Sequence, residues 1–260
     1  MALTYASYLK LDQLLRLQQP VSDGPEHDET LFIVVHQVYE LWFKQMLHEL
    51  DYVVRLLETR DASRTLHTMK RILTILKVVV AQVDILETMT PLEFLSFRSR
   101  LESGSGFQSS QFRELEFVLG AKNARALDRY AQGSPERALL EQRYRAPTVW
   151  DAFLRYLQRD GHQIPAEQLA RDVTQRISPD PAIQRVLIDV YRAGTTTSEL
   201  CERFVDLDEG LQEWRYRHVK MVERTIGTKP GTGGSSGAAY LSTTLNQPLF
   251  PDLWAIRGQL

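Results

Sequence analysis

The chain has 260 residues, 43% hydrophobic and 25% charged, with a formal net charge of −2, an ordinary globular composition that gives no general attraction to nucleic acid or to an anionic membrane. Its single cysteine, Cys201, excludes an intrachain disulfide and fits a reducing compartment. Residues 1–20 lack a basic stretch followed by an apolar run, and no apolar run is long enough to cross a bilayer, so a cytoplasmic protein without a secretory signal is expected.

Residues 4–19 read as a helix. Tyr5, Tyr8, Leu9, Leu11, Leu14, Leu15 and Leu17 give it a wide apolar face, and Pro20 ends it. Tyr5 and Leu9 lie one turn apart on this terminal segment. They either dock on the chain's own core or, in an oligomer, cover a neighbour's site. Asp23-Gly24-Pro25 is a turn. A long helix follows over about 28–59, where Phe32, His36, Tyr39, Phe43, Met46, Leu50 and Val53 alternate steps of four and three and make a seam for another helix. The next helix, about 63–88, repeats the pattern with Leu66, Met69, Leu73, Leu76, Val80 and Val83. The short polar turn from Thr59 to Ala62 makes the two an antiparallel hairpin.

Thr90-Pro91 opens another helix with a capping threonine and a first-turn proline, and its inner side includes Phe94, Phe97, Arg98 and Leu101. Residues 102–107 form a loop, and helix resumes over 108–120. From about 121 to 193 shorter, more polar helices are broken at Gly133, Pro147, Gly161, Pro165 and Pro179-Asp180-Pro181, with one apolar stripe from Trp150, Phe153, Leu154 and Leu157. The last long helix, about 195–226, puts Phe204, Leu207, Leu211, Trp214, His218 and Met221 on one face. A glycine-rich loop after Gly227 precedes short helices near 238–245 and 251–257. No stretch alternates like a strand, so the chain is read as all-α: long antiparallel helices in a bundle-like core. The N-terminal segment is 1–22, the core 23–120 with 195–260, and a helical insertion 121–194.

The six histidines form no metal-binding spacing, which leaves a zinc site without support. Haem needs only one neutral imidazole in an apolar helical cleft. His218 has that setting, although a core histidine held by hydrogen bonds has it too. His36 stands in the same position, or could accept a hydrogen bond from a flat aromatic ligand. Arg98 either snorkels to the surface or meets a carboxylate. The loop GTGGSSG is neither a P-loop nor a nucleophile elbow.

LFIVVHQVYELWFKQMLHELD (31–51), ILETMTPLEFLSFR (85–98), SGFQSSQFRELE (105–116), QEWRYRH (212–218) and KPGTGGSSG (229–237), in this order, resemble the tryptophan 2,3-dioxygenase family. TYASYLKLDQLL (4–15) resembles its N-terminal segment, and the likeness is weakest between about 121 and 195. The resemblance implies an all-helical homotetramer with one haem b per subunit, held by His218 as proximal iron ligand. It makes His36 the distal histidine at the indole N–H and Phe32 an aromatic wall of the pocket. Arg98 becomes the partner of the substrate carboxylate, and Thr232 the contact to the amino acid head group. Ser105 and Gly106 become the loop beside the haem, and Tyr5 and Leu9 residues lent to a neighbouring pocket. The implied reaction is cleavage of the indole C2–C3 bond of L-tryptophan by O2 to N-formylkynurenine. Phe94 stands where many bacterial members have a tyrosine, Phe112 at another position that can be tyrosine, and Glu102-Ser103-Gly104 alters the approach to SGFQ. These departures leave open a monooxygenation of a substituted tryptophan, and a non-catalytic haem or tryptophan sensor is the reading from another class. Gly210 interrupts the helix before His218 without a reason visible in the sequence, and residues before Tyr5 are few beside the family's longer leader.

Overall fold

Apolar residues at steps of three and four make long helices in the computed structural model, which describes residues 2–24, 26–102, 104–232 and 237–260. Two short helices, α1 (Tyr5–Leu9) and α2 (Leu11–Leu14), precede the long α3 (His27–Glu58). Asp61 caps α4 (Ala62–Ala81), its carboxylate accepting from Arg64 N at 3.0 Å, and α4 returns along α3. The expected helix over 63–88 is interrupted at Gln82, whose buried side-chain amide donates to the Val35 carbonyl, before α5 (Val83–Leu86). In α6 (Pro91–Arg98), Thr90 caps the helix and Pro91 takes the first turn, as the sequence predicts, and Glu93 completes a capping box. Ser109 caps α7 (Ser110–Val118).

The next segment folds as α8 (Pro135–Arg145), α9 (Val149–Arg159), α10 (Ala166–Leu169) and α11 (Pro181–Ala193). Thr195 caps α12 (Thr196–Ile226), and α13 (Ala238–Ser242) and α14 (Pro251–Ala255) close the chain. Among the described residues there is no strand, so the all-α expectation holds.

The core lies where α4 packs between α3 and α12. Leu50 and Val53, Met69 and Ile72, and Phe204 and Leu207 are all fully buried there. Each such side chain contributes about 1.5–3 kcal/mol of transfer free energy. Trp150, Phe153 and Leu157 of α9 enter the same cluster. Gly210 now has a reason: a Cβ there would lie 2.7 Å from Leu76 Cδ2, so glycine lets α12 approach α4 closely. At the C-terminal end, the fully buried Asp208 carboxylate accepts from Leu249 N, Phe250 N and Trp254 Nε1, tying the tail to α12.

The expectation for 4–19 needs correction. The helix breaks at Lys10, which is left-handed at φ 54°, and no residue of α1 or α2 is buried. Tyr5 is 76% exposed, so the segment does not dock on its own core. The stretch from Gln18 to Ser22 is anchored instead: Glu29, buried on α3, accepts from Val21 N and Ser22 N, and Gln18 donates to Gln37. The arm therefore starts from a fixed point, and its α1 side chains stand exposed.

Candidate functional site

A cleft of about 260 Å³ opens between α3, α6, α7 and α12. Helical periodicity brings its parts together: Phe32 and His36 one turn apart on α3, Phe94 and Arg98 one turn apart on α6, and Trp214 and His218 one turn apart on α12. Ser105, Gly106 and Thr232 complete the lining from two loops. Of the site residues singled out in the sequence, Tyr5 and Leu9 alone are absent from this cleft.

The two histidines differ in their hydrogen bonding. His36 Nδ1 lies 2.7 Å from the Phe32 carbonyl, an acceptor only, so Nδ1 carries the proton and Nε2 remains an acceptor. Burial lowers the His36 pKa, against the opposing effects of the Phe32 carbonyl and Glu40. The Phe32 ring stands 4.1 Å from the imidazole and 5.8 Å from the Phe94 ring, which makes an aromatic wall beside it. His218 has no hydrogen bond among the described residues. Burial, aided by His36 and Arg113, pushes its pKa down to about 4. Trp214 stacks on it, rings 5.2 Å apart and 6° from parallel, and Phe112 backs Trp214 at 4.8 Å. A neutral imidazole without a partner, fixed by stacking, suits an axial ligand to a metal in a flat cofactor.

Two further observations fit a cofactor. Arg113 Nε and Trp214 Nε1, on residues lining the cleft, are buried without a hydrogen-bond partner. The Tyr39 hydroxyl donates to the Val79 carbonyl at 3.2 Å; it lies near Trp214, but not in hydrogen-bond geometry to the indole N–H. Apolar walls, one free imidazole and unsatisfied N–H donors together match a haem with its acidic side chains. Among the described residues, no cluster of His, Cys, Asp or Glu could hold a bare metal ion instead.

The head-group residues already have partners. Arg98 donates from Nη2 to the Pro230 carbonyl, and Thr232 Oγ1 donates to the Gly104 carbonyl at 2.7 Å. Arg98 thus joins the segment after α12 to the end of α6, and Thr232 joins it to the loop between α6 and α7. Ser105 caps the short turn Gly106–Gln108. Ser103, in the approach to SGFQ, and Gly233 to Ser236, in GTGGSSG, lie outside the described residues.

Sequence reasoning missed one cluster. Arg113 and Glu116 of α7 pair with each other, and Arg215 of α12 donates to the second Glu116 oxygen at 3.1 Å. The spacing of Arg113 and Glu116 is visible in QFRELE, but their link to Arg215 is not.

The family model of tryptophan 2,3-dioxygenase matches residues 1–149 and 148–260. The chain is 65% identical over 259 residues to a tryptophan 2,3-dioxygenase of Herpetosiphon aurantiacus, covering 100% of this chain and 99% of that one. It is 60% identical to one from Anaeromyxobacter sp. strain K, covering 100% and 97%, and 45% identical to one from Kineococcus radiotolerans, covering 99% and 91%.

Proposed function

Since this chain belongs to the tryptophan 2,3-dioxygenase family, we propose that it cleaves the indole C2–C3 bond of L-tryptophan with O2, giving N-formylkynurenine and serving tryptophan catabolism. The observation that carries the reading is one cleft uniting an unpartnered His218, an acceptor nitrogen on His36 and the Arg98 guanidinium, from three different helices.

His218 would hold haem b, one per subunit, with Ser105 and Gly106 beside it and Arg113 and Trp214 offering N–H groups to its acidic side chains. Bound there, the haem would supply the iron chemistry that activates O2. The protein's own part is binding and orientation. Phe32 and Phe94 give the indole one aromatic wall. His36 Nε2 accepts the indole N–H, because its Nδ1 proton is committed to the Phe32 carbonyl. Arg98 takes the substrate carboxylate in a charge-assisted bond, and Thr232 contacts the head group. With both ends held, the indole is presented in one orientation. The two carboxylates in the lining, Glu40 and Glu116, are engaged by Gln111 and by Arg113 with Arg215, which agrees with a reaction begun by addition of O2 to the ring rather than by proton removal.

Tyr5 and Leu9 would complete the pocket of a neighbouring subunit in a homotetramer. Their exposure, beside an anchored segment at Val21 and Ser22, supports this. No helix among the described residues is long and apolar enough to cross a membrane, and the single buried cysteine agrees with a cytoplasmic setting.

The test is the visible spectrum of the protein with L-tryptophan, ascorbate and air, followed by product mass. A gain of two oxygen atoms is expected. A gain of one would overturn ring cleavage in favour of monooxygenation, and oxygen binding without turnover would favour a sensor.

A further inference from the structure

Two guanidiniums and one carboxylate line the same wall of the cleft. Arg113, Glu116 and Arg215 have side chains only 14%, 13% and 7% exposed. Arg113 Nη1 donates to one Glu116 oxygen, and Arg215 Nη2 donates to the other. Among the described residues neither arginine has a second ion pair. Glu40 also lines the cleft but is bonded by Gln111, so within the triad one negative charge faces two positive ones largely out of water, an arrangement that is costly until an anion completes it. The Arg113 guanidinium also lies over the Phe112 and Phe107 rings, at 5.3 and 6.0 Å, and its Nε has no acceptor.

We propose that Glu116 is the positioning residue for the acidic edge of the cofactor. By bridging Arg113 and Arg215, on two different helices, it fixes where their remaining N–H groups point. The proposal rests on the haem reading of the cleft. Neutralisation alone would need only a nearby negative charge. The bridge uses both carboxylate oxygens, one per helix, so its effect is geometric. It also links α7, which follows the Ser105–Gly106 loop, to the stretch of α12 that carries His218.

The probe is a pair of pigments, haem and haem dimethyl ester, whose acidic groups are masked. The full chain loaded with either is mixed with excess apomyoglobin, and the rate of pigment loss is followed. Wild type should lose the ester about tenfold faster than haem, as one well-placed charge-assisted contact implies. In Glu116→Gln that ratio should shrink by about threefold or more, because the arginines are no longer aimed. Glu116→Asp keeps the charge but is one methylene too short to reach both partners, so its ratio should fall between; it also serves if the glutamine variant folds poorly. Glu114→Gln is the control, since Glu114 is buried on the same helix and pairs with Arg143 at 3.3 Å instead. It should lower the melting temperature and leave the ratio within about twofold of wild type.

A ratio in Glu116→Gln that stays or widens would overturn the proposal and leave charge neutralisation. Equal shrinkage in Glu114→Gln would overturn it in favour of helix packing. Equal retention of both pigments by wild type would overturn it while leaving the haem reading intact. A wild-type protein that holds neither pigment would remove the haem reading, and this proposal with it.

Discussion

Arg98→Ala should weaken L-tryptophan binding far less than the loss of a buried ion pair would. In the free protein Arg98 already donates to the Pro230 carbonyl, so substrate exchanges one acceptor for another rather than filling an empty valence. Arg98 is charged in both bonds; a hydrogen bond of a charged group contributes about 1.5–3 kcal/mol, and replacing a carbonyl by a carboxylate moves it from the lower to the upper part of that range. The exchange therefore gains about 1–1.5 kcal/mol, or roughly five- to thirteenfold in Kd. Removing the side chain leaves the Pro230 carbonyl to water, because this contact is exposed, so no unsatisfied group adds to the cost. The assay is calorimetric titration of the haem-loaded protein with L-tryptophan and with tryptamine, which lacks the carboxylate. Tryptophan binding should weaken by roughly five- to thirteenfold and tryptamine binding by less than about twofold. Equal losses for both ligands would refute the carboxylate role. A loss for tryptophan beyond about a hundredfold would refute the exchange with Pro230.

Three other outcomes are expected. His218→Ala should bind no haem, and an unchanged Soret band in the purified variant would sink the ligand assignment. His36 acts as a neutral acceptor and its pKa is lowered by burial; kcat/KM for tryptophan should therefore hold level from about pH 8 down to the ordinary imidazole range near 6.5 and fall only below it, as Nε2 gains a proton. A midpoint above that range would exclude His36 as the acceptor. Asp208→Ala strands the Leu249 and Phe250 amides and the Trp254 indole N–H. At about 1–3 kcal/mol for each buried donor, with water rescuing the partly exposed indole, the cost is about 4 kcal/mol, or roughly 10 °C in Tm. A shift under about 2 °C would show that the tail re-forms these bonds elsewhere.

Legibility in the sequence depends on the range of each interaction. Phe32, His36 and Tyr39 share a face because a helix repeats every 3.6 residues, and so do Trp214 and His218; such local geometry is written in spacing. Thr90 ahead of Pro91 caps α6 as the sequence predicts. Gly210 is opaque in the sequence for the opposite reason: its partner, Leu76, lies on another helix, and no spacing reports a close approach between helices. The same holds for Glu116, whose link to Arg215 spans 99 positions. The break at Lys10 is also hidden, since a left-handed lysine disobeys local preference.

The His36 tautomer shows where the local and the distant meet. Spacing alone puts His36 on the α3 seam, and burial there would favour the neutral ring on any reading. The Phe32 carbonyl, four residues earlier on the same helix, decides which nitrogen keeps the proton. An acceptor at Nε2 is therefore built from residues within one turn, before substrate, cofactor or neighbouring helix contributes anything. Distance enters only in choosing what that acceptor meets. Phe94 and Arg98 on α6 face the same cleft, so a ligand with one N–H on a flat apolar body and one carboxylate meets His36, the aromatic wall and Arg98 together, and His218 on α12 is left for the cofactor. A ligand lacking the N–H leaves His36 Nε2 without a partner inside the cleft, whereas one lacking the carboxylate leaves Arg98 on the Pro230 carbonyl, so the indole end discriminates more strongly than the head-group end.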